Sequence, residues 1–130
     1  MRSLMILAAL ALLPQCRSDE TVRAYGAGDR TWLLVELDGA AFTGRATLTF
    51  PGPGQIAGDA PCNSYSAEMT VPYPWFEAGT IAATRRACPD LAAEAAFFEA
   101  LSNASISEVF GDTLMLSDDN GPRLVFKAAD

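Results

Sequence analysis

Two patterns of apolar and polar positions divide this chain. The first is a single uninterrupted apolar run, Leu4–Leu13, preceded by Met1-Arg2-Ser3 and followed by Pro14, Gln15, Cys16 and the polar Arg17-Ser18-Asp19-Glu20. The second begins at Thr31. From there, short stretches alternate in polarity and are interrupted by Gly, Pro, Asp and Asn, which is the mark of half-buried strands separated by turns. The alternation predicts strands over Trp32–Leu37, ended by Asp38-Gly39, and over Ala46–Phe50, ended by Pro51-Gly52-Pro53-Gly54. It predicts a short return over Gln55–Gly58, then Tyr65–Val71 with Tyr65, Ala67, Met69 and Val71 on one side. Pro72 and Pro74 break the pattern before it resumes over Trp75–Ala83.

One segment changes period. Pro89 and Asp90 supply a helix start, Glu94 lies near the first turn, and Asn103 closes the segment. Leu91, Ala95, Phe98 and Leu101 share a helical stripe, with Phe97 beside it. Strands return over Ser105–Phe110, Thr113–Ser117 and Arg123–Lys127, the last two joined by the hairpin signal Asp118-Asp119-Asn120-Gly121-Pro122. The expected class is therefore α+β. An antiparallel sheet or partial barrel of about seven to eight short strands curls over one helix and buries Phe97, Phe98 and Leu101.

The first apolar run has a different meaning. Its ten residues rise only about 15 Å as a helix, half of a bilayer core of roughly 30 Å. A charged start, a short apolar core and a break form the layout of a secretory signal. Residues 1–15 are thus expected to be a signal peptide, 16–29 a polar tether and 30–130 the folded domain. Leu13-Pro14-Gln15-Cys16 resembles a bacterial lipobox, which would make Cys16 a lipidation site and the only point of membrane contact. Gln15 stands where that pattern prefers a small residue. An exported location on the periplasmic side of the cell envelope follows.

Composition narrows the partners. The chain has 130 residues, half apolar and 19% charged, which fits one globular domain behind the signal. Its net charge of −7 becomes one unit more negative without Arg2. Such a surface disfavours phosphate backbones, so nucleic acid is not an expected partner. If Cys16 is lipidated, Cys62 and Cys88 are the remaining thiols, and in an oxidising compartment they can pair. The alternative is two buried free thiols packing as small apolar side chains. No His occurs, so a zinc site is not expected. Counting from Asp118, the sixth and twelfth positions hold Arg123 and Ala129, which breaks the calcium-loop register. Neither metal nor cofactor is expected.

The ordered set of motifs resembles the META domain family, also called HslJ-like, from about Trp32 to Phe126. The matching pieces are Trp32-Leu33-Leu34 with Leu37-Asp38-Gly39, then Thr47–Phe50 with Ile56-Ala57-Gly58. Cys62-Asn63-Ser64-Tyr65 follows, then Thr84-Arg85-Arg86-Ala87-Cys88, then Glu94, Phe98 and Leu101 in the helix. Leu114–Leu116 and Leu124–Phe126 complete the set. Pro61 stands where the family usually has Gly, and Arg86 where it usually has Met. The resemblance implies a sheet wrapped around a helix and a secreted or lipid-anchored envelope protein, some members being associated with stress. It does not imply catalysis.

Absence of His also removes the usual general base for nucleophile–base chemistry. Carboxylate pairs can run glycosidic chemistry, but none is marked out by spacing. The expected role is a non-catalytic binding module for an unknown envelope protein or ligand, acting as a monomer. An inhibitor-like domain using Pro51–Gln55 or Val71–Phe76 is the alternative, and a carboxylate-based hydrolase a third. The candidate binding residues are those the two cysteines would gather: Asn63, Tyr65, Thr84, Arg85 and Arg86. The competing reading is that Asn63 serves turn backbone, Thr84 ends a strand and the arginines pair with surface carboxylates.

Overall fold

The structure, a computed structural model, describes residues 18–130. The expected signal peptide over 1–15 and the lipidation site at Cys16 lie outside the described residues. Nine strands and one α-helix follow a short 3-10 helix, Val22–Tyr25. The strands are β1 Trp32–Leu37, β2 Ala40–Ala41, β3 Thr47–Gly52, β4 Gln55–Asp59, β5 Ser64–Glu68 and β6 Ala82–Ala83. After the helix α1, Leu91–Asn103, come β7 Ile106–Phe110, β8 Thr113–Asp118 and β9 Gly121–Ala128.

All pairings are antiparallel, in the order β6-β5-β4-β3-β1-β9-β8-β7, with β2 attached to β1. The first and last long strands therefore meet in the middle. Two meanders run outward from them, and α1 links the two outer ends across the concave face. The sheet curls around the helix without closing.

Alternation explains the core. Trp32, Leu34, Leu48, Phe50, Ile56, Tyr65, Leu114, Leu116, Leu124 and Phe126 point inward from six strands and meet Phe97 and Leu101 of α1. Trp32 is fully buried, and its indole N–H donates to the Ala27 carbonyl at 2.9 Å. Gly58 is required by a close approach. A Cβ there would stand 2.1 Å from the Thr47 carbonyl oxygen and 2.9 Å from the Tyr65 hydroxyl. The hydroxyl uses that space to donate to the same Thr47 oxygen at 2.6 Å, and burial first, then the Asp59 charge, push the phenol pKa upward.

Four details differ from the sequence expectation. The helix presents Glu94, Phe97, Ala100 and Leu101 to the core, while Leu91 and Ala95 are exposed. The inward face is thus rotated from the Leu91/Ala95 stripe, because Glu94 is drawn inside by hydrogen bonds described below. The stretch Trp75–Ala83 is strand only at β6, apart from a single bridge between Trp75 and Ile106, since Pro74 and Gly79 interrupt the ladder. The two-residue β2 adds a strand because Asp38 and Gly39 both adopt positive φ, 52° and 81°, the geometry of a tight hairpin. Finally, residues 18–29, expected within a tether, are folded onto the domain. Val22 and Ala27 are fully buried, Tyr25 stacks on Tyr73 at 4.9 Å, and the Glu20 carbonyl accepts from the Tyr73 N–H. Two apolar anchors without periodicity leave no pattern to read.

Arg123 of β9 joins three elements. Its guanidinium contacts Asp38 in the β1–β2 turn, Asp118 at the end of β8 at 2.8 Å, and Glu99 of α1 at 2.8 Å. The Arg123 side chain first, then the Asn120 N–H, hold the Asp118 carboxyl below its usual pKa. The three carboxylates raise the pKa of Arg123 in turn. A depressed folded-state pKa gives stability that is present above the unfolded value, about pH 4, and lost as pH falls through the folded one. The urea midpoint is therefore expected to fall below about pH 4, and less steeply in Asp118→Asn. Asp19, whose pKa is lowered by Thr21 and Arg23 against an opposing effect of burial, supplies part of the remaining slope. Parallel pH profiles for the two proteins would refute the assignment.

Candidate functional site

The motif cysteines meet. Cys62 and Cys88 form a disulfide with Cα atoms 5.6 Å apart, across a sequence separation of 26. The bond fastens the loop before β5 to the segment that leads from β6 into α1.

Beneath it lies a polar cluster centred on Asn63 and Glu94, which are 7% and 5% exposed. Glu94 reaches from the first turn of α1. One carboxylate oxygen accepts from the backbone N–H groups of Cys62 at 3.0 Å and Asn63 at 2.9 Å. The other accepts from the Asn63 side-chain amide at 2.7 Å. Asn63 completes the arrangement. Its amide also donates to the Arg86 carbonyl at 3.1 Å, while its Oδ1 accepts from the Thr84 hydroxyl at 2.9 Å and the Arg86 N–H at 2.6 Å. The Ser64 N–H donates to the Thr84 hydroxyl at 3.2 Å. Both ends of the Asn63 amide are matched, and the buried carboxylate has three donors. A buried network satisfied in this way rigidifies the backbone around it.

The five residues proposed from the sequence therefore separate. Asn63, Thr84 and the backbone of Arg86 come together, but in a cluster that serves main-chain groups. Tyr65 points away into the core, between Phe97 at 5.6 Å and Phe98 at 5.4 Å between ring centroids. The side chains of Arg85 and Arg86 are exposed, and neither makes an ion pair among the described residues. The competing reading of Asn63 and Thr84 thus describes their contacts, whereas the arginines are not paired as it supposed. The sequence marks Glu94 as a first-turn residue and as a piece of the family resemblance, not as a binding candidate. Its signal was positional: it shares a helical face with Phe97 and Leu101, three and seven residues on.

The surface nearby has two open grooves, one on each side of β6. The first is floored by Gln55, Ser66, Glu68, Thr80 and Ala82, the second by Ala78, Ile81, Ala83, Phe98, Glu99 and Ser102. A third groove runs along Val71, Trp75 and Ala104, where Trp75 is 57% exposed. Among the described residues no cluster of three or more His, Cys, Asp and Glu side chains has metal-binding geometry, and no helix is long and apolar enough to cross a membrane.

Comparison with known proteins agrees with this architecture. The family model of the META domain matches residues 26–130. A protein from Burkholderia xenovorans, solved by NMR, is similar at 24% identity and a TM-score of 0.65, covering 83% of this chain and 87% of its own. A DUF4847 family protein from Bacteroides vulgatus ATCC 8482 has the same TM-score, 0.65, at 13% identity, covering 84% of this chain and 96% of its own. These likenesses concern the fold alone. No curated protein matches the chain.

Proposed function

Since the chain belongs to the META domain family, we propose that it is an exported, non-catalytic binding module of the cell envelope with a stress-related role, anchored to a membrane through lipidated Cys16. The observation that carries the reading is the Cys62–Cys88 disulfide, since such a bond persists in oxidising compartments. The polar cluster beneath it supports action by contact. Its carboxylate and amide are occupied by internal hydrogen bonds, so they hold a surface in shape rather than face a substrate. Fractionation of cells making the full chain tests the proposal. The protein is expected in the envelope fraction with Cys62 and Cys88 oxidised, and Cys16→Ser is expected to release it from membranes. Cytoplasmic protein with both thiols free overturns the export reading, and membrane retention of Cys16→Ser overturns the anchor.

A second reading, an inhibitor of an envelope hydrolase, is favoured by one feature. The Val71–Phe76 loop projects Trp75, an exposed aromatic beside an open groove, and such side chains anchor protein interfaces.

A further inference from the structure

The two outer ends of the sheet are treated differently. At the start of β7 two outward groups are taken: the Ser105 carbonyl accepts from the Phe76 N–H at 2.9 Å, and the Ser107 N–H donates to the Pro74 carbonyl at 2.7 Å. At β6 no further strand lies beyond among the described residues. The Thr84 N–H donates inward to the Ser64 carbonyl at 3.1 Å, and Ala83 pairs with Tyr65. Antiparallel bonding alternates, so the N–H and C=O of Ala83, and by the same alternation those of Ile81, point outward. Ala83 is exposed. Grooves of about 490 and 590 Å³ flank this edge on its two faces. Ala82 opens onto the first, Ile81 and Ala83 open onto the second, which Phe98 of α1 also lines, and Thr80 borders both. An unfilled strand position thus lies between an edge and a helix, with small side chains leaving room on both faces.

From this geometry we infer that β6 is a docking edge for an extended peptide of another protein, which adds to the sheet as an antiparallel strand. This rests on the binding-module reading and gives it a surface. Main-chain hydrogen bonds to Ile81 and Ala83 supply affinity, and alternate side chains entering the groove against Phe98 supply selectivity. Charge sets the polarity. Arg85 and Arg86, which make no ion pair among the described residues, stand at one end of the edge, and Glu68 and the Arg123-bridged Glu99 line the grooves toward the other. An antiparallel partner therefore carries acidic residues at its N-terminal end, apolar residues at alternate central positions and basic residues after them.

The test is selection of short random peptides, displayed on phage, against the immobilised full chain, followed by titration of the enriched peptides. Enriched sequences are expected to show this polarity, to slow hydrogen exchange at the Ile81 and Ala83 amides, and to bind Ala83→Pro at least about tenfold more weakly, the effect of a lost strand contact. That substitution removes an outward N–H and leaves the inward bond of Thr84 in place, so edge proline is compatible with the fold. Arg85→Glu/Arg86→Glu, which keeps the backbone intact, is expected to reverse the charge preference. Absence of enrichment, binding unaffected by both variants, or concentration-dependent dimerisation abolished by Ala83→Pro would each overturn the proposal. Failure of export in the fractionation experiment would instead strike the functional reading and leave this edge unaffected.

Discussion

Glu94→Ala is expected to lower the unfolding free energy by about 3–4 kcal/mol, a large part of the stability of a domain this size. The carboxylate does not point to solvent, and its loss leaves the N–H groups of Cys62 and Asn63 and one amide hydrogen of Asn63 without their acceptor. Each buried donor deprived of its partner costs about 1–3 kcal/mol. Water entering the space vacated by the shortened side chain offsets part of that sum, which sets the expected value below a full addition. Glu94→Gln separates geometry from charge. Its carbonyl can still accept from both backbone N–H groups, but its NH2 faces the Asn63 NH2, two donors with nothing between them. Turning Asn63 over would deprive Thr84 and Arg86 of their acceptor. The expected loss is about 1–2 kcal/mol. Urea unfolding of the three proteins decides the matter. Equal losses for Ala and Gln would mean that acceptor geometry is not what the helix contributes, and an Ala loss under about 1 kcal/mol would mean that the N–H groups find other partners.

This cluster also shows where sequence reading stops. The β-hairpins were legible because alternation and turn residues are local: Asp118-Asp119-Asn120-Gly121 reads as a hairpin, and Asp118 pairs with Gly121. The helix was legible for the same reason, but its rotation was not. A lone Glu in an otherwise apolar stretch reads as a surface residue until its partners, 31 and 32 positions earlier, are brought to it by the fold. The motif finds Asn63 and leaves it between a binding patch and a partner of turn backbone, because nothing local shows that both ends of its amide are taken. The folding of segment 18–29 is not legible, since its burial depends on distant partners such as Tyr73 and Trp32 and not on any period of its own. The free edge at β6 lies further out of reach. Ala82 and Ala83 are weak strand formers, and only the pairing of neighbours shows which side of them is empty.

Reduction of the Cys62–Cys88 bond, or Cys62→Ser/Cys88→Ser, is expected to cost about 3.5 kcal/mol, the chain-entropy value for a loop of this length. The bond and Glu94 act on the same pieces of chain. Both hold the loop at Cys62–Asn63 to the segment entering α1, one covalently and one by hydrogen bonds. Their losses are therefore not expected to add. With the disulfide gone, the loop can draw back and let water reach the N–H groups of Cys62 and Asn63, so Glu94→Ala then removes less. A double-mutant cycle comparing Glu94→Ala in the oxidised and reduced protein is expected to give a coupling of about 1–2 kcal/mol, within the range for neighbours sharing a network. Strict additivity would show that the backbone at Asn63 stays in place without the disulfide. In that case the hydrogen-bond cluster alone fixes the entry into α1, and the covalent bond acts only on the unfolded chain, as the entropy model supposes. Coupling of the expected size would instead make the oxidation state of this pair a determinant of local structure next to β6, because Thr84 and Arg86, which follow that strand, are held by the same Asn63.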